Sequence, residues 1–174
     1  MLSLKFLREN LLKEDLSFVE KWEKIQPLFS RILGLNFSFY FPNFTSIIPV
    51  SKVTPICADF IEPLKKFTSP ERDCVFLAFE HAHEKEAAYF ICPHGCYFSM
   101  VKKQKAAQLF GILILGPSLV GKRDPDKSYE QFCAKQEIHL DTFCDGLREM
   151  PLFSHQRIRS IQELCRFLME LSEP

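Results

Sequence analysis

Near the start of the chain, apolar residues recur at helical intervals. Phe18, Trp22, Ile25, Phe29 and Ile32 follow at steps of four, three, four and three, which places them on one helical face. Ser17-Phe18-Val19-Glu20 reads as a capping box opening this helix, the hydroxyl accepting from a free backbone amide while Glu20 reaches back. Gly34 ends it, and Pro27 inside the pattern predicts a kink or a break, because proline lacks the amide hydrogen of the helix ladder. A shorter helix is expected before it, over about residues 4–12.

The period then drops to two. Leu35, Phe37, Phe39 and Phe41 alternate with Asn36, Ser38 and Tyr40, the mark of a strand with one apolar face. Pro42-Asn43 turns the chain, and residues 45–50 are expected to form a second strand. Prolines at 49, 55, 63 and 70 mark a stretch of short helices and loops. A helix is expected from Pro70 to about Glu86, with Val75, Phe79 and Ala82 on one side. Three strands follow, over Ala88–Cys92, Cys96–Lys102 and Leu109–Leu115, the last two joined as a hairpin around residues 103–107. Asp124-Pro125 then starts a helix, with Asp124 as cap, and helices over 127–136, 141–149 and 154–171 complete the chain. In the last, Ile158, Ile161, Leu168 and Leu171 form an apolar stripe. Strands grouped in hairpins rather than alternating with long helices predict an α+β fold. Its antiparallel sheet is flanked by helices, an architecture like that of PAS and GAF sensors, in one domain over residues 1–174.

Composition sharpens this picture at three points. Eighteen Phe beside a single Trp predict an aromatic interior, either plain packing or the lining of an apolar pocket. The 22 basic and 22 acidic residues cancel, which removes the electrostatic footprint of a domain that grips nucleic acid on its own. Lys102-Lys103-Gln104-Lys105 is read as a solvated turn. The longest apolar run, Leu109 to Leu115, is too short to span a bilayer, and no secretory signal opens the chain. Seven cysteines, an odd number in a chain of this size, fit a reducing cytoplasm better than a disulfide scaffold.

Three kinds of chemistry compete for the remaining motifs. Gly116-Pro-Ser-Leu-Val-Gly121-Lys122 resembles a phosphate-binding loop, but Arg123 stands where the magnesium-binding hydroxyl belongs and Pro117 removes an amide from the cradle. A loop leaving the sheet explains the same residues. Cys92-Pro93-His94-Gly95-Cys96, with Cys57 and Cys74 upstream, offers thiolate and imidazole donors for zinc or an iron–sulfur cluster, although the spacing is permissive rather than diagnostic. Cys133, Cys144 and Cys165 read as small buried hydrophobes. A cysteine nucleophile needs a base within reach; His81, His83 and His94 qualify only by composition, and no hydrolase elbow is present, so no enzyme is expected.

Tyr89-Phe-Ile-Cys92-Pro-His-Gly95-Cys96-Tyr-Phe98, continued by Leu109-Phe-Gly111-Ile-Leu-Ile-Leu-Gly116-Pro, resembles the heart of the PocR sensory-domain family. That family has an aromatic-x-Cys-x-x-Gly turn between strands and a following strand with an early and a terminal glycine. Ile56-Cys57 and Ser69-Pro-Glu-Arg-Asp-Cys74 resemble its two upstream cysteine positions, and residues 137–141 and 150–154 follow its layout toward the final helix. Pro93, His94 and Cys96 depart from its small residues and leucine, and Leu115-Gly116-Pro117 replaces its Gly-Gly-Gln.

The resemblance implies a domain that senses a small organic molecule, a diol or simple hydrocarbon derivative, within a bacterial signalling or transcription-regulatory system. Phe37, Phe39, Phe98, Cys92, His94 and Gly95 are the expected pocket lining, joined by Cys57 and Cys74 at the family's cysteine positions. The chain is read as either a stand-alone sensor or the input domain of a longer regulator, without cofactor, membrane or direct nucleic-acid contact. Its C-terminal helix is the expected route to a homodimer or an output. Two alternatives stay open: a metal or iron–sulfur sensor using Cys57, Cys74, Cys92 and Cys96, and a ligand-free protein-interaction module.

Overall fold

The computed structural model describes residues 13–43, 70–91, 96–135 and 137–171. Helix α1, Lys13–Leu33, is followed by strand β1, Phe37–Tyr40; helix α2, Pro70–Glu84, precedes β2, Ala87–Ile91, β3, Tyr97–Lys105, and β4, Gln108–Val120. A turn of 3-10 helix at Asp126–Tyr129 leads into α3, Glu130–Lys135. Then come α4, Leu140–Glu149, the short strand β5, Leu152–Phe153, and α5, His155–Leu171. The helix expected over 4–12 and the strand expected over 45–50 lie outside the described residues.

The main sheet runs β1-β4-β3-β2 and is antiparallel throughout, as expected, with β2 beside the β3–β4 hairpin. β5 adds a short parallel pairing to β4, through Leu119 opposite Leu152 and Val120 opposite Phe153. β4 lies inside the sheet, and residues 111–119 are buried. A strand covered on both faces has no polar face to alternate with, which accounts for its apolar run from Leu109 to Leu115.

Helices cover the sheet on both sides, making two cores. On one face Phe37, Phe39, Val101, Leu113 and Leu115 meet Phe18, Val19 and Trp22 of α1 and Ile158, Ile161, Cys165 and Met169 of α5. On the other, Phe90, Phe98, Met100, Ile112 and Ile114 meet Val75, Ala78, Phe79 and Ala82 of α2, Cys133 of α3, and Phe143, Cys144 and Leu147 of α4. The register fixes this division: Phe39 and Val101 both stand opposite Leu113, whereas Met100 stands opposite Ile114 and Phe98 opposite Phe90. Gly111 makes the first core possible. A Cβ there would lie 2.5 Å from the Phe39 ring and 2.6 Å from the Tyr40 carbonyl oxygen, so only glycine lets Phe39 lie across β4.

Several element boundaries differ from the sequence reading. α1 already runs from Lys13, so Ser17 sits inside it and opens nothing. The helix continues through Pro27, which is exposed, to Leu33; proline forfeits one ladder bond, and water can satisfy the carbonyl so released. Ile32 is exposed, and Leu33 packs on the core in its place, one full turn beyond Phe29. Gly34, with φ of 65°, ends the helix in the left-handed conformation. Pro125, not Asp124, caps the 3-10 helix, its carbonyl accepting from the Ser128 amide at 2.8 Å. In α5 the Ser154 hydroxyl accepts from the Arg157 amide at 3.2 Å and caps the start. Of the expected stripe, Ile158 and Ile161 are buried within their own core and Leu168 packs partly against it, while Leu171 is exposed; Leu164 and Phe167 also face outward.

Candidate functional site

The expected pocket lining does not stay together. Phe37 and Phe39 project into the core beneath α1, while Phe98 lies across the sheet in the core beneath α2 and α4. A single cavity lined by all three is therefore corrected to two separate aromatic layers, because β1 and β3 present these positions to opposite faces. Cys57, Cys92, His94 and Gly95 lie outside the described residues, and Cys74 falls on α2 with its side chain outside them. Cys96 is buried in the Phe98 layer.

The layer beneath α1 is the denser in rings. Phe18 stacks on Trp22 with centroids 5.8 Å apart and planes 7° from parallel, and Phe39 meets Phe18 edge-on at 5.1 Å and Trp22 at 6.5 Å. Phe110 closes on Phe18 at 5.4 Å and on Phe41 at 5.5 Å, and Phe29 meets Phe37 at 6.4 Å. Edge-to-face pairs of this kind contribute beyond their area burial, so this apolar layer is held by ring geometry as well as by burial.

Two polar atoms interrupt it. Gln26 is 5% exposed and Trp22 2%. The Gln26 Nε2 donates to the Phe37 carbonyl oxygen, which ties α1 to the edge of β1. Among the described residues, Gln26 Oε1 and Trp22 Nε1 are the buried side-chain polar atoms without a hydrogen-bond partner. Each such atom costs about 1–3 kcal/mol when it is left unmet. The orientation of the amide is settled by chemistry, since the Phe37 carbonyl accepts only and must face the NH2 end. One helical turn therefore presents an unmet donor and an unmet acceptor on the same buried face. Sequence reasoning passed over Gln26; the available signal was a glutamine four positions after Trp22, inside an apolar stripe.

Polar contacts also fasten α5 over this core. Lys103 is buried, and its Nζ donates to the Met169 carbonyl oxygen at 2.6 Å while lying 5.4 Å from the Phe18 ring centroid. A cation at the last turn of a helix meets its unpaired carbonyls and the negative end of its dipole. The Gln162 Nε2 donates to the Ala88 carbonyl oxygen of β2 at 2.9 Å. The run Lys102 to Lys105, read as a solvated turn, is in fact part of β3, and Lys103 is its inward residue.

A model of the sensory domain found in PocR matches residues 15–172, nearly the whole chain. The chain belongs to that family. A PocR sensory domain has a ligand-sensing role in signalling, and all of the buried positions just described fall within the matched span. No curated protein and no solved structure matches the chain.

The other sequence motifs of this PocR domain resolve into structural parts. Gly116 to Val120 is the end of β4 rather than a loop, and antiparallel and parallel partners occupy its two edges. Such a strand cannot cradle a phosphate. Arg123, the residue that breaks the phosphate-loop pattern, donates to the carbonyls of Arg148 at 3.0 Å and Met150 at 2.8 Å, closing the end of α4. His81 stacks on Phe90 at 5.6 Å, and His83 is exposed. Cys133, Cys144 and Cys165 are unbridged and buried, and burial raises all three thiols, Cys165 to about 12. Such thiols stay protonated at neutral pH and are poor nucleophiles. Among the described residues, no group of three or more His, Cys, Asp or Glu side chains is placed to hold a metal ion, and no helix is long and apolar enough to cross a membrane.

Proposed function

We propose that this domain reports a small organic molecule to a bacterial signalling or transcription-regulatory system in the cytoplasm, acting by binding alone and catalysing nothing. The observation that carries the reading is the aromatic layer beneath α1, broken by two unmet polar atoms, in a chain of a sensory family. Ligand pockets are mostly apolar with a few placed polar groups, and this layer has that character. The sheet with helices on both faces suits a sensor of the PAS or GAF kind. Balanced charge supports leaving direct nucleic-acid contact to another part of the system. α5, fastened to the sheet through Lys103 and Gln162, is the element through which a change in the core would reach a partner copy.

Thermal shift with a panel of small neutral organic molecules, combined with native mass spectrometry and metal analysis of freshly prepared protein, tests this reading. The expected result is a metal-free chain whose melting temperature rises with at least one compound, which native spectra show bound at one copy per chain. Iron or zinc held in stoichiometric amount would instead favour the metal sensor built on Cys57, Cys74, Cys92 and Cys96. A chain with neither metal nor any stabilising compound would favour the interaction module.

A further inference from the structure

We propose that the open edge of β2 takes up an extended, acidic segment of a partner protein as an added strand, with the flank of α5 above that edge selecting the charge. The edge lies at the opposite end of the sheet from β1, and the proposal does not depend on the ligand reading.

Hydrogen-bond alternation identifies the free backbone groups. The Lys102 amide donates to the Glu86 carbonyl oxygen at 2.7 Å, and Ala88 and Phe90 stand opposite Met100 and Phe98, so the even-numbered residues turn toward β3. Ala87, Tyr89 and Ile91 therefore point their N–H and C=O groups away from the sheet, and no strand of the described residues lies beyond them. At the far edge the outward Phe37 carbonyl is taken by Gln26. β2 lacks such protection. Its sequence, Ala-Ala-Tyr-Phe-Ile, holds no charge, proline or register shift, the features that keep an edge from pairing. Donors and acceptors recurring at every second residue, about 6.6 Å apart, are matched by another extended backbone.

Side chains define what that backbone should carry. Tyr89 and Ile91 are 48% and 53% exposed, and His155 lies 6.5 Å from the Tyr89 ring. Gln162 reaches the Ala88 carbonyl oxygen at 2.9 Å, so α5 turns the flank of His155, Arg159, Gln162 and Arg166, spaced by four, three and four, toward β2. Arg159 and Arg166 are exposed, and Arg166 makes a 4.0 Å contact with Glu170. Lys85 and Glu86, exposed at the start of β2, cancel. An incoming strand thus meets an apolar edge beneath a basic flank, which favours an apolar residue with carboxylates on either side of it.

Fluorescence anisotropy of labelled, end-blocked peptides with the full chain tests the proposal. The probes are Thr-Glu-Thr-Val-Thr-Glu-Thr, the same peptide with Lys in place of Glu, and two forms of the first, N-methylated at the valine or at the threonine after it. The expected result is saturable binding of the glutamate peptide, at least about tenfold tighter than that of the lysine peptide. Methylation at the valine, whose amide turns toward β2, should abolish binding, and methylation at the threonine, whose amide points away, should not. Tyr89→Pro removes an outward donor without losing a ladder bond, so the chain should fold and no longer bind the peptide. Arg159→Glu combined with Arg166→Glu should reverse the order of the glutamate and lysine peptides. Equal binding of those two peptides overturns the acidic assignment, and binding that survives methylation at the valine overturns strand addition. A wild-type chain that binds neither peptide overturns both. Self-association abolished by Tyr89→Pro, with no peptide bound, overturns the partner segment by placing a second copy on the edge. If Tyr89→Pro does not fold, the methylated pair decides on the wild type. The ligand reading is tested separately, by the thermal-shift panel, and survives any of these results.

Discussion

Cys165 shows how one buried atom governs a pH response. Burial raises its thiol to about 12, and burial followed by the nearby Asp126 charge raises Cys144 to about 11. An unfolded thiol ionises near 8.5. The folded chain therefore keeps protons that the unfolded chain gives up. The stability this contributes is whole below the unfolded value and is lost as pH rises toward the native ones. Cys165→Ala should cost about 1 kcal/mol at neutral pH through lost packing. Its deficit should shrink as the medium becomes alkaline. Urea midpoints of the two chains at neutral pH and at about pH 10 measure the gap; a gap of constant width would show that the thiol ionises equally in both states. The burial of Cys133, Cys144 and Cys165 was legible in the sequence, because isolated cysteines among apolar residues have little else to do. Gln26 and Lys103 were not. A polar residue in an apolar stripe reads as a solvated exception until its partner, here a backbone carbonyl distant in sequence, is known.

At the scale of elements, hydrophobic period located the strands but not their ends. β3 and β4 meet through a two-residue turn at Ala106 and Ala107, whose φ values of 49° and 64° are both left-handed. Hairpin turns of this form favour Asn-Gly, and alanine pays roughly 1–2 kcal/mol at each such position. Ala-Ala carries no turn signal, which is why the sequence reading spread the connection over residues 103–107 and ended β3 early. Both alanines are exposed, so nothing in the core opposes a change. Ala107→Gly should raise stability by roughly 1 kcal/mol, with a larger gain when Ala106→Asn is added. A urea midpoint that stays put or falls would mean that the turn is not held in this form in solution. The start of α1 failed for a related reason: Ser17 and Glu20 have the spacing of a capping box, but the apolar stripe makes an equally good helix interior, and the chain enters the helix from Lys13. Spacing alone does not tell a cap from an interior turn.

For the whole molecule, the antiparallel neighbourhood of β2, β3 and β4 and the helical cover were legible, whereas the place of β1 beside β4 was not, because nothing local in the chain joins these two strands. Nor was the sharing of residues between the two faces of the sheet, since period two groups positions within a strand but leaves the register between strands open. The same ambiguity touches α5. Its expected contact stripe included Ile158 and Ile161, yet these face the sheet with Cys165 and Met169, and Lys103 and Gln162 hold the helix in that rotation. The outward apolar residues are Leu164, Phe167 and Leu171, at 39%, 55% and 64% exposure and at steps of three and four. That spacing lines up one seam of a helix pair. If α5 carries the proposed homodimer, this seam is its contact, and the inward face is fixed by folding instead. The two faces separate cleanly by mutation. Phe167→Glu should leave the monomer folded, with unchanged circular dichroism, and weaken self-association at least about tenfold, as loss of a central aromatic anchor does. Ile161→Glu buries an unpaired carboxylate and should abolish folding. Sedimentation of the wild type beside Phe167→Glu decides: a wild-type chain that runs as a monomer ends the dimer proposal, and a Phe167→Glu chain that still runs as a dimer moves the contact away from α5.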